Sequence, residues 1–103
     1  MRTHLCNIKI KINQRVCQAS VGTDIEYSMI NPNLVTMDMT GTSYDQTVRL
    51  TARIGELTRE IFYILDVGLQ VPVLLGTDAQ MVFELEVWVL GENVIISQSK
   101  NRQ

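Results

Sequence analysis

The tightest restriction on this chain is a period-two alternation of apolar and polar residues. Ile8, Ile10 and Ile12 alternate with Lys9, Lys11 and Asn13. Val48, Leu50, Ala52 and Ile54 alternate with Arg49, Thr51 and Arg53, and Phe83, Leu85, Val87 and Val89 alternate with Glu84, Glu86 and Trp88. Successive side chains of a strand point to opposite faces, so each segment has one apolar and one wet face. Composition agrees. Val, Ile and Thr supply 30 of the 103 residues, whereas Ala and Lys supply three each. Branched side chains fit a pleated, half-buried surface and lose rotamer freedom in a helix.

Turn residues divide the chain into short strands. Asn13-Gln14 predicts a hairpin between Ile8–Ile12 and a second strand holding Val16, Cys17, Ala19 and Val21. Gly22-Thr23-Asp24 breaks that strand, and an apolar pattern resumes from Ile25 to Ile30 before Asn31-Pro32-Asn33. Gly55-Glu56 follows the second alternation. Ile61 to Leu65 is an unbroken apolar run that suits a strand buried on both faces. Val71 to Leu75 is another, closed by Gly76. Thr77 or Asp78 could cap a short helix through Met81. Gly91-Glu92-Asn93 precedes a final strand at Val94-Ile95-Ile96, and Ser97 to Gln103 reads as a polar, frayed end. With no linker or repeat, residues 1–103 are expected to form one all-β domain, a small closed barrel with one short helix in its second half.

Several function classes are excluded. The net charge is -2, so no basic excess marks a nucleic-acid or anionic membrane surface. The longest apolar run is about five residues, far short of a bilayer span. The N-terminal MRTHLCNIKIKI alternates, whereas a signal peptide needs an unbroken apolar stretch, and this predicts an intracellular protein. Cys6 and Cys17 are too few for a disulfide framework and read as reduced thiols.

Individual residues offer little chemistry. His4 is the only histidine and reads as a solvated terminal residue. With no His pair and no CxxC, no metal or cofactor is predicted. Cys17 has no second histidine as a base and reads as packing. Neither GxxxxGK nor GxGxxG occurs. The Arg49/Arg53 and Lys9/Lys11 pairs read as wet strand faces. Trp88 either covers a sheet face or contacts a partner.

The order of segments says more. A hairpin leads into Ala19-Ser20-Val21-Gly22-Thr23-Asp24-Ile25-Glu26-Tyr27-Ser28-Met29-Ile30. A polar, Gly-containing stretch and a strand follow, then Leu74-Leu75-Gly76-Thr77-Asp78, then two terminal strands. Over about residues 7 to 97 this resembles the retropepsins, the aspartic proteases of retroviruses and long-terminal-repeat retrotransposons. Their active-site loop reads A-L-(I/V)-D-(T/S)-G-A-x-x-S-x-I, and a later I-L-G-x-D leads into a short helix. The resemblance implies an acid-protease fold and a homodimer. Thr23 would bond across the dimer axis, and the terminal strand Val94, Ile95 and Ile96 would be shared between monomers. Thr40, Gly41, Thr42 and Ser43 would open the flap, the hairpin that covers substrate.

The catalytic triplet departs from the family. Asp-Thr-Gly is replaced by Gly22-Thr23-Asp24. An aspartic protease needs two carboxylates about 3 Å apart that share one proton. Gly22 supplies none, and Asp24 stands two residues on, where the family uses Gly for a tight bend. Asp66-Val67-Gly68 after Ile64-Leu65 also resembles the hydrophobic-Asp-x-Gly pattern, but only Leu69 and Gln70 separate it from VPVLLGTD, where the family carries a loop between strands. Asp38-Met39-Thr40-Gly41-Thr42-Ser43 echoes the D-T-G-T-S of pepsin-like enzymes with one residue inserted, and by the retropepsin alignment it belongs to the flap. The expectation is therefore a retroelement-derived domain with no catalytic residue, retained as a homodimeric module that binds a protein or peptide partner. The alternatives are an active endopeptidase using a register-shifted Asp24 and a monomeric β-barrel adaptor.

Overall fold

In the computed structural model, which describes residues 5–34, 42–44 and 46–98, the first alternation folds into a hairpin. Strands β1 (Leu5–Ile12) and β2 (Arg15–Gly22) pair antiparallel, with Ile12 opposite Arg15. Asn13 and Gln14 between them both have positive φ, 48° and 71°. Turns of that hand match the twist of the flanking strands. Ile10 and Ile12 are buried while Lys9 and Lys11 are exposed.

The second hairpin joins β5 (Thr47–Ile54) to β6 (Leu57–Leu65) through Gly55-Glu56. Val48, Leu50, Ala52 and Ile54 all face the core. Strand β6 differs from expectation. Ile61 and Tyr63 are buried, but Phe62 is exposed beneath the Arg49 guanidinium, 5.8 Å from its ring centroid. The unbroken apolar run is thus a one-sided strand whose outer aromatic covers a cation instead of a second layer. The strand buried on both faces is β7 (Val73–Leu75), at all three of its positions. It runs parallel to β2 on one side and antiparallel to β3 (Met29–Ile30) on the other.

Pairing proceeds in the order β1-β2-β7-β3-β6-β5 and returns to β1 through Lys11 opposite Arg53 and Ile12 opposite Ala52. The result is a closed six-stranded barrel, which removes the open edges a flat sheet would leave. Strand β4 (Thr42–Tyr44) lies outside the ring and, among the described residues, pairs with the start of β5 alone. The described residues are all-β apart from one short helix, α1 (Thr77–Val82).

Two boundaries move. Phe83 belongs to the helix end and not to the following strand: its N–H donates to Ala79 O (2.9 Å) and its ring is fully buried. Strand β8 (Leu85–Leu90) starts after Glu84, which takes a φ of 57°. Strand β9 (Asn93–Gln98) includes Ser97 and Gln98, which the sequence assigns to a frayed end. Gln98 Nε2 donates to Ile54 O (2.9 Å) and Phe83 O (3.0 Å), and these bonds fasten the β8–β9 hairpin to the barrel.

Tyr63 lies fully inside the barrel, and its hydroxyl has no hydrogen-bond partner among the described residues. Burial pushes its ionisation well above the usual 10.0, and the Asp78 and Cys17 charges push the same way. The folded protein therefore holds this proton more tightly than the unfolded chain does. Its contribution is intact below about pH 10 and declines above that, by at most ~1.4 kcal/mol per pH unit. Tyr63→Phe removes that slope without losing a hydrogen bond. We expect neutral-pH stability in urea melts to be unchanged or up to about 1 kcal/mol higher. A clear loss would mean that the hydroxyl is bonded.

Candidate functional site

The parallel pairing of β2 with β7 sets Ala19, Ser20 and Val21 beside Val73, Leu74 and Leu75. Both strands run out of the barrel at the same end, where β2 ends on Gly22 and β7 is followed by Gly76. The two motifs of the sequence, whose Ser28 and Asp78 are 50 residues apart, thereby become neighbours.

The loop 22–28 is fastened to the start of α1 by a dense set of bonds. Thr77 N–H and Thr77 Oγ1 both donate to Ile25 O, at 2.8 and 3.1 Å. Asp78 N–H donates to Glu26 O (3.3 Å), and Gln80 Nε2 donates to Gly22 O (2.9 Å). Ser28 is fully buried at the centre. Its Oγ donates to Asp78 Oδ1 (2.7 Å) and accepts from Gly76 N (3.0 Å), while its N–H donates to Asp78 Oδ2 (3.2 Å). Asp78 Oδ1 also accepts from Ala79 N (2.6 Å). These bonds satisfy the backbone of an irregular segment that would otherwise carry unpaired polar groups. Hence only Met29–Ile30 of the expected Ile25–Ile30 pattern is a strand.

The helix start also differs from expectation. Its N-cap is Gly76, with no side-chain cap bond. Thr77 and Asp78 are the first helical residues, and their side chains reach across to the loop. Glycine is required at 76 by crowding: a Cβ there would stand 2.8 Å from Tyr27 N and Tyr27 C and 2.9 Å from Glu26 C.

The triplet residues occupy three environments. Gly22 is buried, and a Cβ on it would run into Ile25 Cγ1. Thr23 is half-buried. Asp24 is exposed, and its carboxylate has no hydrogen bond or ion pair among the described residues. No side chain at position 22 can present a carboxylate unless Ile25 moves. Asp66 is used locally: its Oδ1 accepts from Gly68 N (2.9 Å) in a turn held by Asn31 Nδ2, which donates to Val67 O and Leu69 O. That arrangement is an Asx turn, a structural use of the carboxylate.

Of the flap residues, Thr42 and Ser43 lie in β4 opposite Arg49 and Val48. Thr40 and Gly41 lie outside the described residues, as do His4 and Asp38. Cys17 is half-buried against the core, and burial pushes its thiol up, which lowers the thiolate fraction a nucleophile needs. Cys6 is opposite Val21 and Cys17 opposite Ile10, so the two cysteines are not register partners. Among the described residues no group of three His, Cys, Asp or Glu could hold a metal ion. No helix among them is long and apolar enough to cross a membrane.

A second feature is the β8–β9 ribbon, a two-stranded sheet separate from the barrel. Its register places Val87 opposite Ile96, Val89 opposite Val94, Trp88 opposite Ile95 and Leu90 opposite Asn93. Ile96 and Val87 pack against the core. Trp88 (54%), Ile95 (48%) and Leu90 (58%) are exposed on the other face, and Val89 (42%) is exposed near the tip. Of the expected contact residues, Ile95 therefore faces outward, Ile96 faces the barrel, and Val94 is half-buried.

The sequence pattern did not assign Ser28, Asp78 and Gln80 to the loop scaffold. Ser28 and Asp78 do stand at motif positions, the Ser of S-x-I and the Asp of L-L-G-x-D, and that was the available signal. No protein-family model matches the chain, and no curated protein is significantly similar to it.

Proposed function

We propose that the chain is a catalytically inactive, retropepsin-like domain of retroelement descent, acting inside the cell as a homodimeric protein-interaction module. The observation that carries this reading is the meeting of the two motifs at one barrel end, with a buried glycine where the resembled family has its acid. The Ser28–Asp78 bond joins one polar residue from each motif, which supports reading the loop as an active-site scaffold without its acid. Asp24 is exposed on the loop, two residues beyond the family's acid position, whereas a proton-sharing dyad needs two carboxylates held about 3 Å apart.

The dimer part is supported by the β8–β9 ribbon. Two-stranded ribbons are marginal on their own, and this one shows apolar residues on both faces near its tip. A second copy would cover Trp88, Leu90 and Ile95, with Thr23 at the loop as a further contact. Sedimentation equilibrium at tens of micromolar is the test. We expect a dimer, and an Ile95→Lys chain whose dissociation constant is at least about tenfold higher with its melting temperature in the monomer range intact. A unsubstituted chain that stays monomeric would favour the monomeric adaptor and overturn the dimer.

A further inference from the structure

The barrel closes between β1 and β5 with Lys11 directly opposite Arg53. Opposed residues on one face of an antiparallel pair stand about 5 Å apart at Cβ, and like charges there are destabilising. Lys9 lies two residues along the same strand, and all three cations are exposed. They border two adjoining shallow depressions of about 220 and 290 Å³. Lys9, Lys11, Arg53 and the exposed Val16 (61%) line the first, and Lys11 and Arg53 with Thr51 and Thr58 line the second. Among the described residues no carboxylate lines either one. Glu60, opposite Thr51 on the neighbouring strand, is engaged by Arg49 at 3.6 Å. Arg53 is held in place by its Nε, which donates to Gly55 O (2.9 Å).

Among the described residues no carboxylate forms an ion pair with Lys9, Lys11 or Arg53, although the chain's net charge is -2. We infer that the β1–β5 seam, with Lys9, Lys11 and Arg53, docks an acidic segment of a protein partner that sets carboxylates on the cations and an aliphatic side chain on Val16. A peptide fits better than a nucleic acid. Three cations on a net-acidic body make too short a stripe for a phosphate backbone, and the valine and threonines offer apolar contact and hydrogen bonds. This surface lies apart from the loop 22–28, so the inference stands independently of the proposed loss of catalysis.

The test is fluorescence anisotropy with a labelled peptide of alternating glutamate and leucine, alongside a thermal melt. We expect binding that weakens as salt is raised. We expect Lys11→Glu to lower affinity about tenfold, since it removes one attraction and adds one repulsion. The same substitution faces Arg53 with an acid, so it should raise the melting temperature, which separates loss of the site from damage to the fold. The inference is overturned by no peptide binding, by binding that Lys11→Glu leaves unchanged, by a lowered melting temperature in that variant, or by a single-stranded oligonucleotide that binds more tightly than the peptide.

Discussion

Gly76→Ala should cost about 3 kcal/mol or more and leave the chain largely unfolded under mild denaturant. The glycine has an extended backbone, φ -95° and ψ -168°, which any residue can adopt. The effect is therefore steric. The added methyl would press on the Tyr27 and Glu26 backbone at 2.8 to 2.9 Å. Backbone atoms cannot turn aside as a side chain can, so the loop must lift from the helix start. That movement would break the Thr77 to Ile25 bond at 2.8 Å and the Gly76 to Ser28 bond at 3.0 Å. Urea melts followed by circular dichroism measure the loss. A change below about 1 kcal/mol would show that the loop is not seated as described.

Asp78→Ala should lose about 3 kcal/mol by a different route. One carboxylate accepts from Ser28 N, Ser28 Oγ and Ala79 N. Hydrogen bonds to a charged acceptor are worth more than neutral ones, and Ser28 is fully buried, so no water replaces the lost partner. Asp78→Asn keeps the shape and one acceptor oxygen and should cost less. Paired with Ser28→Ala in a double-mutant cycle, Asp78→Ala should show a coupling of about 1 kcal/mol or more, because the two residues act on each other directly. Strictly additive losses would contradict the bond network. Hydrogen exchange of the Ser28 and Gly76 amides should accelerate in Asp78→Ala well before global unfolding.

What the sequence made legible was local. Alternation at Ile8–Ile12 and Val48–Ile54 marks strands because the period of two is set within each segment. The turns at Asn13-Gln14 and Gly55-Glu56 follow from the same boundaries. The short helix after Gly76 was visible for the same reason. The misreadings depend on neighbours distant in the chain. Whether Phe62 is covered depends on what lies beyond the sheet, and the run from Ile61 to Leu65 carries no sign of it. Gln98 is ordered because Ile54 and Phe83 offer carbonyls, and Thr77 and Asp78 leave the capping role because Ile25 and Ser28 stand opposite. The site was legible only through the resemblance. Periodicity gives no reason for Gly22 and Gly76 to be neighbours, and the parallel register of β2 with β7 supplies that reason.

The most direct test of the central claim is a cleavage assay on a diverse peptide library from about pH 4 to pH 7, the range in which carboxylate dyads work. The folded chain and Asp24→Asn are assayed side by side. We expect no cleavage from either, because Gly22 supplies no acid and Asp24 is exposed on the loop surface. Cleavage by the unsubstituted chain that disappears in Asp24→Asn would contradict the claim, and would mean that paired Asp24 carboxylates make this protein an endopeptidase.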